Sequence, residues 1–191
     1  MDYGLNDLWP TKVLVDKIPN QELVDQVSQA ILSDVDIISK SSDFQAFDVL
    51  RDGGDIFKKF QKEIVEPAFN SYLLSSTGKE IGEFSPYKFR SWITGTAQGY
   101  MIPTHNHSGA SVSGVFYLMC EEQDFGGELL LMDPRSNANR GYQTLFKPWF
   151  AEEKLTPKTG DVILFPSFVY HYTFPFLGKM RLGMAVDFYQ Q

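Results

Sequence analysis

From residue 87 onward the chain is a succession of short segments rich in aromatic and β-branched residues, separated by Gly, Pro and Asn. This pattern predicts strands near residues 87–95, 98–105, 112–120, 127–132, 143–146, 161–165, 169–174 and 181–189. Too few residues separate these segments for the helical crossovers that parallel strands require, so neighbouring strands are expected to be antiparallel. We therefore predict a mainly β fold, a double-stranded β-helix of the jelly-roll, cupin-like kind.

The first eighty residues have a helical pattern instead. Residues 8–16 predict a short strand broken at Pro10, and Asn20 then has the side chain of a helix N-cap. The helix that follows has apolar residues at every fourth position: Leu23, Val27, Ile31 and Val35. A second helix is predicted from about residue 55 to residue 74, again with one apolar side. Both helices are expected to pack outside one sheet of the β part and to support it.

Composition limits the kinds of protein that this chain can be. Its 191 residues, 43% hydrophobic and 21% charged, suit a single domain over residues 1–191, with a helical part (1–80) and a β part (87–191). No apolar run reaches the roughly eighteen residues of a membrane helix, and the first six residues lack the basic start of a signal peptide, so a cytoplasmic protein without a membrane partner is expected. A net charge of -7 without a basic cluster argues against nucleic acid as a partner. Cys120 is the only cysteine, which excludes an internal disulfide.

The chain has three histidines, and two of them form the sequence His105-Asn106-His107. In an extended segment residues i and i+2 point to the same side, so both imidazoles can face one metal ion. His171 lies in a later predicted strand, which a barrel can bring beside the pair. Neutral imidazole suits iron, zinc and copper, and three protein ligands leave coordination positions open for substrate and oxygen. The alternative is an exposed pair of histidines and a hydrogen-bonded histidine in the core.

These histidines belong to an ordered set of motifs. The set consists of His105-Asn106-His107, Phe116-Tyr117-Leu118, Gly126-Gly127-Glu128-Leu129, the run from Pro157 through Gly160 to Phe165, His171 and Arg181. In this order the motifs resemble the 2-oxoglutarate and iron(II)-dependent oxygenases, in which a His-x-Asp/Glu motif, a Tyr-Leu strand, a Gly-Gly-Glu turn, a distal His and an Arg follow one another. Residues 8–11, 111–118 and 133–135 resemble a poorly characterised subgroup of that family, which extends the resemblance over nearly the whole chain.

The resemblance implies that the metal is iron(II) and that His105 and His171 are two of its ligands. His107 falls where the family usually has a carboxylate. Replacing an anion by neutral imidazole raises the net charge of the metal site by one, which alters iron affinity and redox behaviour. His107 is nevertheless predicted to be the third ligand. The alternative is a carboxylate from elsewhere in the chain, Glu128 or Asp133.

The resemblance also implies that 2-oxoglutarate is the cosubstrate and that Arg181 and Tyr117 bind it. The planar guanidinium of Arg181 can donate two hydrogen bonds to the distal carboxylate, which the Tyr117 hydroxyl joins. Arg181 alternates with apolar residues, and this predicts a half-buried strand rather than a surface ion pair. For Tyr117, packing in the core is an equally good interpretation.

Together, the residues and the resemblance predict an iron(II) and 2-oxoglutarate-dependent dioxygenase. It is expected to hydroxylate an unidentified small-molecule or peptide substrate and to release succinate and carbon dioxide. The polar segment 136–143 is a candidate substrate loop, and Trp92 is a candidate cavity residue. Two alternatives stay open: a three-histidine, cupin-like dioxygenase that does not use 2-oxoglutarate, and a non-catalytic metal-binding barrel. The oligomeric state also stays open, with a homodimer as one option.

Overall fold

The computed structural model describes residues 10–41, 47–120, 126–135 and 152–190. Its strands are β1 (Leu14–Lys17), β2 (Tyr87–Ala97), β3 (Val112–Cys120), β4 (Leu129–Leu131), β5 (Glu153–Leu155), β6 (Asp161–Pro166), β7 (His171–Thr173) and β8 (Met180–Gln190). Its helices are α1 (Gln21–Ser33), α2 (Val35–Ser41), α3 (Val49–Asp52), α4 (Asp55–Phe60) and α5 (Glu66–Thr77), with a π-helical turn at Gln61–Val65 and a 3-10 turn at Ile81–Phe84. None of the helices in these ranges combines the length and the apolar character needed to cross a membrane.

Two antiparallel sheets form the β part of the fold. The larger sheet has the strand order β1-β6-β3-β8-β2, and the smaller sheet has the order β5-β4-β7. The sheets face each other across a small apolar cluster, to which the larger contributes Tyr117, Ile163 and Phe165 and the smaller contributes Leu129 and Leu131. The predicted mainly β, double-stranded architecture is confirmed, and so is the expectation that the helices support one sheet from outside.

The connections between strands differ from the prediction. Residues 98–104 form no strand, because Gly99 turns the chain with a φ of 82° and Pro103 has no N–H for a ladder. Residues 10–13 are not strand either, and β1 begins at Leu14. The sequence pattern did not predict β5, whose three residues are too few to show an alternation. Residues 8 and 9 and the predicted strand at 143–146 lie outside the described ranges.

Helix α1 begins where the sequence predicts it. The Asn20 side chain accepts a hydrogen bond from the backbone N–H of Leu23 at 3.0 Å, which satisfies a donor that the first helical turn leaves unpaired. The helix ends before Val35, which belongs to α2. The Ser28 hydroxyl lies on the buried side of α1 and shares its proton between two backbone oxygens, that of Val24 in the same helix at 2.8 Å and that of Leu118 in β3 at 3.0 Å. Helix α1 is thereby attached directly to the larger sheet.

The second predicted helix is a longer helical stretch that runs from α4 through the π turn to the end of α5. Its phenylalanines are fully buried against the larger sheet. The Phe60 ring meets Phe116 edge-on with centroids 5.8 Å apart, and the Phe69 ring packs on Phe188 at 6.1 Å. Full burial of such a side chain stabilises a fold by about 1.5 to 3 kcal/mol. This aromatic layer holds the helices on the face of the larger sheet that lies away from the smaller one.

Strand β8 lies between the helical core and the space between the sheets. Its even-numbered side chains, residues 182–188, belong to the helical core. Because side chains alternate along a strand, the odd-numbered ones point to the other face: Arg181, Gly183, Ala185 and Asp187. Glycine and alanine in the middle of this series leave room for a cavity between its two charged ends.

Gly114 in β3 marks a close approach to β6. A Cβ atom at this position would collide with the Leu164 side chain and lie 3.1 Å from the carbonyl oxygen of Ile163. We expect Gly114→Ala to lower the free energy of unfolding by about 1 to 3 kcal/mol, the usual cost of overpacking a buried site. Urea unfolding measures this difference. Gly82→Ala is the control, because nothing lies within 4 Å of a Cβ atom there, and equal effects of the two variants would contradict the prediction.

Candidate metal centre

The three histidines meet at one end of the smaller sheet. His171 is the first residue of β7, and His105 forms an antiparallel bridge with it. Each of the two backbone N–H groups donates to the carbonyl oxygen of the other residue, at 3.0 and 2.9 Å. The N–H of His107 donates to the backbone oxygen of Ser167, 3.1 Å away in the turn that precedes β7. The loop after β2 is therefore held beside β7, with both histidines of the pair facing the third.

The imidazole rings converge. One potential ligand atom from each of His105, His107 and His171 lies within 4.8 Å of the other two. The Nε2 atoms of His105 and His107 are 3.3 Å apart. Two nitrogens at about 2.1 Å from one ion, the usual imidazole distance, lie roughly 3.0 to 3.4 Å apart at octahedral to tetrahedral angles. The three side chains therefore fit a divalent metal ion.

The second ring nitrogen of each histidine has an acceptor. Nδ1 of His105 and Nδ1 of His171 each bond to a backbone carbonyl oxygen two residues earlier, at 2.8 and 3.0 Å. Nδ1 of His107 bonds to the carboxylate of Asp187, at 2.7 and 2.9 Å from its two oxygens. Because these oxygens accept, all three Nδ1 atoms donate, and each Nε2 keeps the lone pair that a metal requires.

Burial keeps two of these imidazoles neutral. Desolvation lowers the pKa of His171 to about 4, and it is also the main cause that lowers the pKa of His105. Neutral imidazole is the form that binds metal. At these two residues a metal ion therefore meets little competition from protons near pH 7.

The lowered pKa of His171 makes the stability of the metal-free protein depend on pH. In the unfolded chain this imidazole titrates near 6.5, whereas in the folded protein it stays neutral down to about pH 4. The unfolded state binds the extra proton between these values, so we expect the free energy of unfolding to fall as the pH falls from about 6.5 to about 4. Urea unfolding in the presence of a chelator measures this. His171→Gln should lose that part of the pH dependence, and an unchanged dependence would contradict the explanation.

A cavity of about 100 Å³ lies beside the histidines, between the two sheets. The Trp92 indole stacks on the ring of His107 with centroids 5.5 Å apart. The Phe165 ring meets the ring of His171 edge-on at 4.8 Å. Trp92 is thus a cavity residue, and these aromatic walls keep water away from the polar groups that meet there.

Arg181 lines the same cavity from β8 and is only 5% exposed. Its guanidinium lies over the rings of Tyr117 and Phe176, with Cζ at 5.8 and 5.2 Å from their centroids, and donates to the carbonyl oxygen of Gly127. Among the described residues, no carboxylate oxygen lies within 4.0 Å of its nitrogens. A buried charge is costly unless it is paired, so this part of the cavity is suited to an anion.

Gly127 and Tyr117 shape the surroundings of this guanidinium. A Cβ atom on Gly127 would lie 2.6 Å from an Arg181 nitrogen, and the residue has a φ of 72°, in the left-handed region that favours glycine. The Gly-Gly pair is therefore more than a turn, because it lets the arginine reach the backbone. Burial raises the pKa of Tyr117. Its hydroxyl consequently stays protonated and can donate a hydrogen bond to an anion.

The two alternative carboxylate ligands lie elsewhere. Asp133 forms an ion pair with Arg135 at 2.5 Å, and Glu128 lies 3.9 Å from the ammonium group of Lys154. Neither belongs to the group of converging ligand atoms. The candidate substrate loop, residues 136–143, falls outside the described part of the chain.

Asp187 is a site residue that the sequence motifs do not single out. Its carboxylate is buried and contacts His107, although it stands eighty positions later in the chain. The sequence does contain a signal for Asp187. In β8 the alternate residues that face inward begin with Arg181 and continue through Gly183 and Ala185 to Asp187. A charged residue at an inward position of a buried strand needs a partner.

A larger cleft of about 500 Å³ lies between α3, α4 and β2, away from the histidines. Its charged lining residues are Asp48, Arg51, Lys58, Lys88 and Arg90. No histidine or cysteine lines it. The smaller cavity is therefore the place where metal-ligating and carboxylate-binding groups meet.

A comparison with protein families agrees with this arrangement. Residues 90–187 match the model of the family described as "Putative 2OG-Fe(II) oxygenase", where 2OG is 2-oxoglutarate. The match covers just over half of the chain and includes the three histidines, Tyr117 and Arg181. The chain belongs to this oxygenase family. The resemblance seen in the motifs is thereby confirmed, and with it iron(II) and 2-oxoglutarate as the cofactors that the family uses.

Solved structures with the same fold include two prolyl hydroxylases. The oxygenase matches a Pseudomonas putida prolyl-4-hydroxylase with 18% identity and a TM-score of 0.61, over 94% of this chain and 88% of that one. It matches a Trichoplax adhaerens prolyl hydroxylase, solved in complex with a peptide fragment of the hypoxia inducible factor oxygen degradation domain, with 15% identity and a TM-score of 0.59, over 93% and 83%. HygX from Streptomyces hygroscopicus, solved with nickel and 2-oxoglutarate, matches with 12% identity and a TM-score of 0.56, over 95% and 83%.

These likenesses show the fold. The oxygenase spans only 59% of the length of another match, a 2OG-Fe(II) oxygenase family oxidoreductase from Burkholderia pseudomallei, with 13% identity and a TM-score of 0.51 over 72% of this chain. None of the curated proteins matches its sequence. The roles of individual residues therefore rest on the geometry of this site.

Proposed function

We propose that this oxygenase is an iron(II) and 2-oxoglutarate-dependent dioxygenase that hydroxylates a substrate still to be identified. In this proposal His105, His107 and His171 hold the iron, and Arg181 with Tyr117 binds 2-oxoglutarate. One observation carries it: a buried arginine, without an anionic partner among the described residues, shares a small cavity with three histidines whose Nε2 atoms are free to bind metal. A divalent metal ion and a carboxylate are the ligands that these two groups suit.

Arg181 anchors 2-oxoglutarate in this proposal. A guanidinium has five N–H donors in a plane, and the contact with Gly127 uses one of them. The remaining donors can form the paired hydrogen bonds that a carboxylate accepts. The rings of Tyr117 and Phe176 fix the plane of the guanidinium, and the protonated Tyr117 hydroxyl supplies a further donor.

His105, His107 and His171 would hold the metal through three imidazole nitrogens, which is fewer ligands than iron(II) accepts. When bound, iron(II) and 2-oxoglutarate would supply, with dioxygen as the oxidant, a reaction in which one oxygen atom converts 2-oxoglutarate to succinate and carbon dioxide and the other enters a C–H bond of the substrate as a hydroxyl group. Trp92 and Phe165 line the cavity beside the histidines and exclude water from it.

We further propose that residues 1–191 form one oxygenase domain. Strand β1, from the helical part of the chain, pairs with β6 at the edge of the larger sheet. Residues of α1, α4 and α5 share one buried core with residues of β3 and β8. Because the two parts bury their apolar side chains against each other, neither is expected to fold without the other.

The proposed substrate is a small molecule or a peptide. A peptide is worth assaying because the similar Trichoplax hydroxylase was solved with one. Specificity in folds of this kind depends on loops, which differ freely between proteins of the same architecture. A panel of peptides and small metabolites, screened for stimulation of succinate release, addresses this question.

The experiment that tests the proposal is an aerobic assay of succinate release by the full chain. The purified protein is loaded with iron(II) and supplied with 2-oxoglutarate, and elemental analysis identifies the metal. We expect succinate that depends on both additions, because many oxygenases of this kind turn over slowly without substrate. Omission of 2-oxoglutarate and the variant His171→Ala are the controls.

Two results would redirect the assignment. Metal-dependent oxygen consumption without 2-oxoglutarate would favour the three-histidine, cupin-like dioxygenase. Tight metal binding with neither oxygen consumption nor 2-oxoglutarate binding would favour a non-catalytic metal-binding barrel.

A further inference from the structure

Asp187 joins the candidate metal centre to the interior of the larger sheet. Its side chain is 4% exposed, and both of its oxygens lie within 2.9 Å of Nδ1 of His107, whose side chain is 11% exposed. The contact therefore lies in the interior of the protein, where charges are screened much less than at the surface. Trp92 covers the other side of the His107 ring.

Two buried serines hold this carboxylate in place. Ser113 lies opposite Asp187 in the pairing of β3 with β8 and donates its hydroxyl to Oδ1 at 2.6 Å. Oγ of Ser167 lies 2.8 Å from Oγ of Ser113. Because Ser113 uses its only hydroxyl proton for Asp187, Ser167 is the donor in this second bond. The carboxylate is thus fixed in the orientation that bonds His107.

The donors around Asp187 do not neutralise it. With His107 in the neutral form that binds metal, the carboxylate accepts from an imidazole N–H and a serine hydroxyl, and the Tyr189 hydroxyl lies 3.4 Å away. Arg90 lies opposite Asp187 in the pairing of β2 with β8, but none of the groups that donate to the carboxylate is itself charged. A buried charge is stabilised by a counter-charge in its hydrogen-bonded surroundings. A divalent cation at Nε2 of His107, on the far side of the same ring, would be that counter-charge.

The composition of the ligand set also favours a role for the Asp187 charge at the metal centre. Sites with two histidines and a carboxylate place one negative charge directly on the metal. Three neutral imidazoles place none there. A carboxylate bonded to Nδ1 of a ligating histidine raises the basicity of that ligand and fixes its tautomer. Asp187 is placed to do this for His107, which occupies the carboxylate position of the family motif.

We propose that Asp187 is a positioning residue of the metal centre, which supplies through His107 the negative charge that a directly bound carboxylate supplies in a site of two histidines and one acid. The inference rests on the proposed function in one respect, because it takes His107 as a metal ligand. The inference goes beyond the proposed function because it names a residue that contacts neither the metal nor 2-oxoglutarate and states what that residue contributes.

The first test compares metal affinity in Asp187→Asn and wild type. Anaerobic calorimetry with iron(II), and separately with manganese(II), measures the dissociation constant of the metal alone. We expect the variant to bind about 10- to 100-fold more weakly, as when partners of ligating histidines are lost. Asparagine removes the charge, and where its amide donates to Nδ1 it also moves the imidazole proton to Nε2, away from the form that binds metal.

A matched control is available in Asp48. It is also a buried aspartate, 6% exposed, whose carboxylate accepts from the buried Ser91 hydroxyl at 2.7 Å, but it lies at the start of α3. Asp48→Asn should leave metal affinity unchanged. The melting temperature of the metal-free proteins separates a positioning role from a structural one. For Asp187→Asn it should fall by no more than for Asp48→Asn, since both substitutions keep the size of a buried side chain and one of its hydrogen-bond acceptors.

The second test asks whether the effect of Asp187→Asn depends on His107. In the variant His107→Asp a carboxylate binds the metal directly, and Asp187 then faces a like charge. Adding Asp187→Asn to that variant should leave metal affinity unchanged or raise it, whereas the same change in the wild type lowers it. A loss of similar size in both backgrounds would show that Asp187 does not act through His107 and would overturn the proposal.

Other outcomes are equally decisive. Equal metal affinity of wild type and Asp187→Asn would overturn this inference and leave the proposed function standing. If Asp187→Asn lowers the metal affinity and also lowers the melting temperature of the metal-free protein by more than Asp48→Asn does, Asp187 has a structural role and the inference is overturned as well. A wild-type protein that binds neither metal would overturn both. If the His107→Asp variant binds no metal, the metal affinities of wild type and Asp187→Asn are sufficient to test the proposal.

Discussion

Arg181→Ala is expected to bind 2-oxoglutarate about 30- to 4000-fold more weakly than the wild type while it keeps its metal. Removing one partner of a buried, hydrogen-bonded charge pair costs about 2 to 5 kcal/mol, because the other charge is left unpaired. At about 1.4 kcal/mol for each tenfold change, this gives the expected range in Kd. The three histidines lie on other segments, so the metal ligands are not changed by the substitution.

Calorimetric titration of the iron-loaded protein with 2-oxoglutarate, under anaerobic conditions, measures this loss. Arg181→Lys should recover part of the affinity, since lysine restores the charge but not the planar pair of donors. Arg51→Ala is the matched control, because Arg51 is an exposed arginine at α3, bonded to Asp52 and outside the cavity. Equal affinities of Arg181→Ala and wild type would remove the main support for 2-oxoglutarate and favour the cupin-like alternative.

His171→Ala is expected to lower metal affinity by more than about 100-fold. That figure is the upper end for losing a group that only supports a ligating histidine, and the loss of a ligand itself should exceed it. His171 is buried, and its ring packs against that of His105 with centroids 4.2 Å apart. It is therefore the most buried of the three candidate ligands, and the sequence has no fourth histidine to replace it.

Metal content after dialysis against iron(II), together with calorimetry, measures the effect of His171→Ala. His171→Phe is a companion variant, because it preserves a ring beside Phe165 but offers no nitrogen, and it should lose the metal equally. The backbone bridge between residues 105 and 171 does not depend on the side chain, so the loop should stay in place in both variants. One equivalent of metal at unchanged affinity in either variant would show that the ligand assignment is wrong.

Much of the fold could be read from local patterns, because those patterns depend on interactions between neighbours in the chain. The Asn20 cap bonds an N–H only three residues away, and the even-numbered apolar residues of β8 face one core because a strand alternates. The short segment Glu153–Leu155 and residues 98–104 could not be read in this way. The first has too few residues to show a period, and the second is held by hydrogen bonds to residues some seventy positions away.

The candidate site likewise has features that local sequence patterns predict and features that they do not. By itself the sequence determined which residues are the candidates for the chemistry: His105 and His107 at a spacing of two, His171 at a later strand, and Arg181 within an apolar alternation. These are properties of residue type and of period, and they persist in any fold that keeps the strands.

Only the tertiary structure decided what lies next to each of these side chains. Asp187 reaches His107 across eighty residues, because β3 and β8 pair in a register that sets Ser113 against it. The guanidinium of Arg181 enters the cavity because Gly127, just before β4, has no Cβ atom to block it. Register and sheet packing set these distances, and both arise from the burial of side chains far apart in the chain, which no local pattern records.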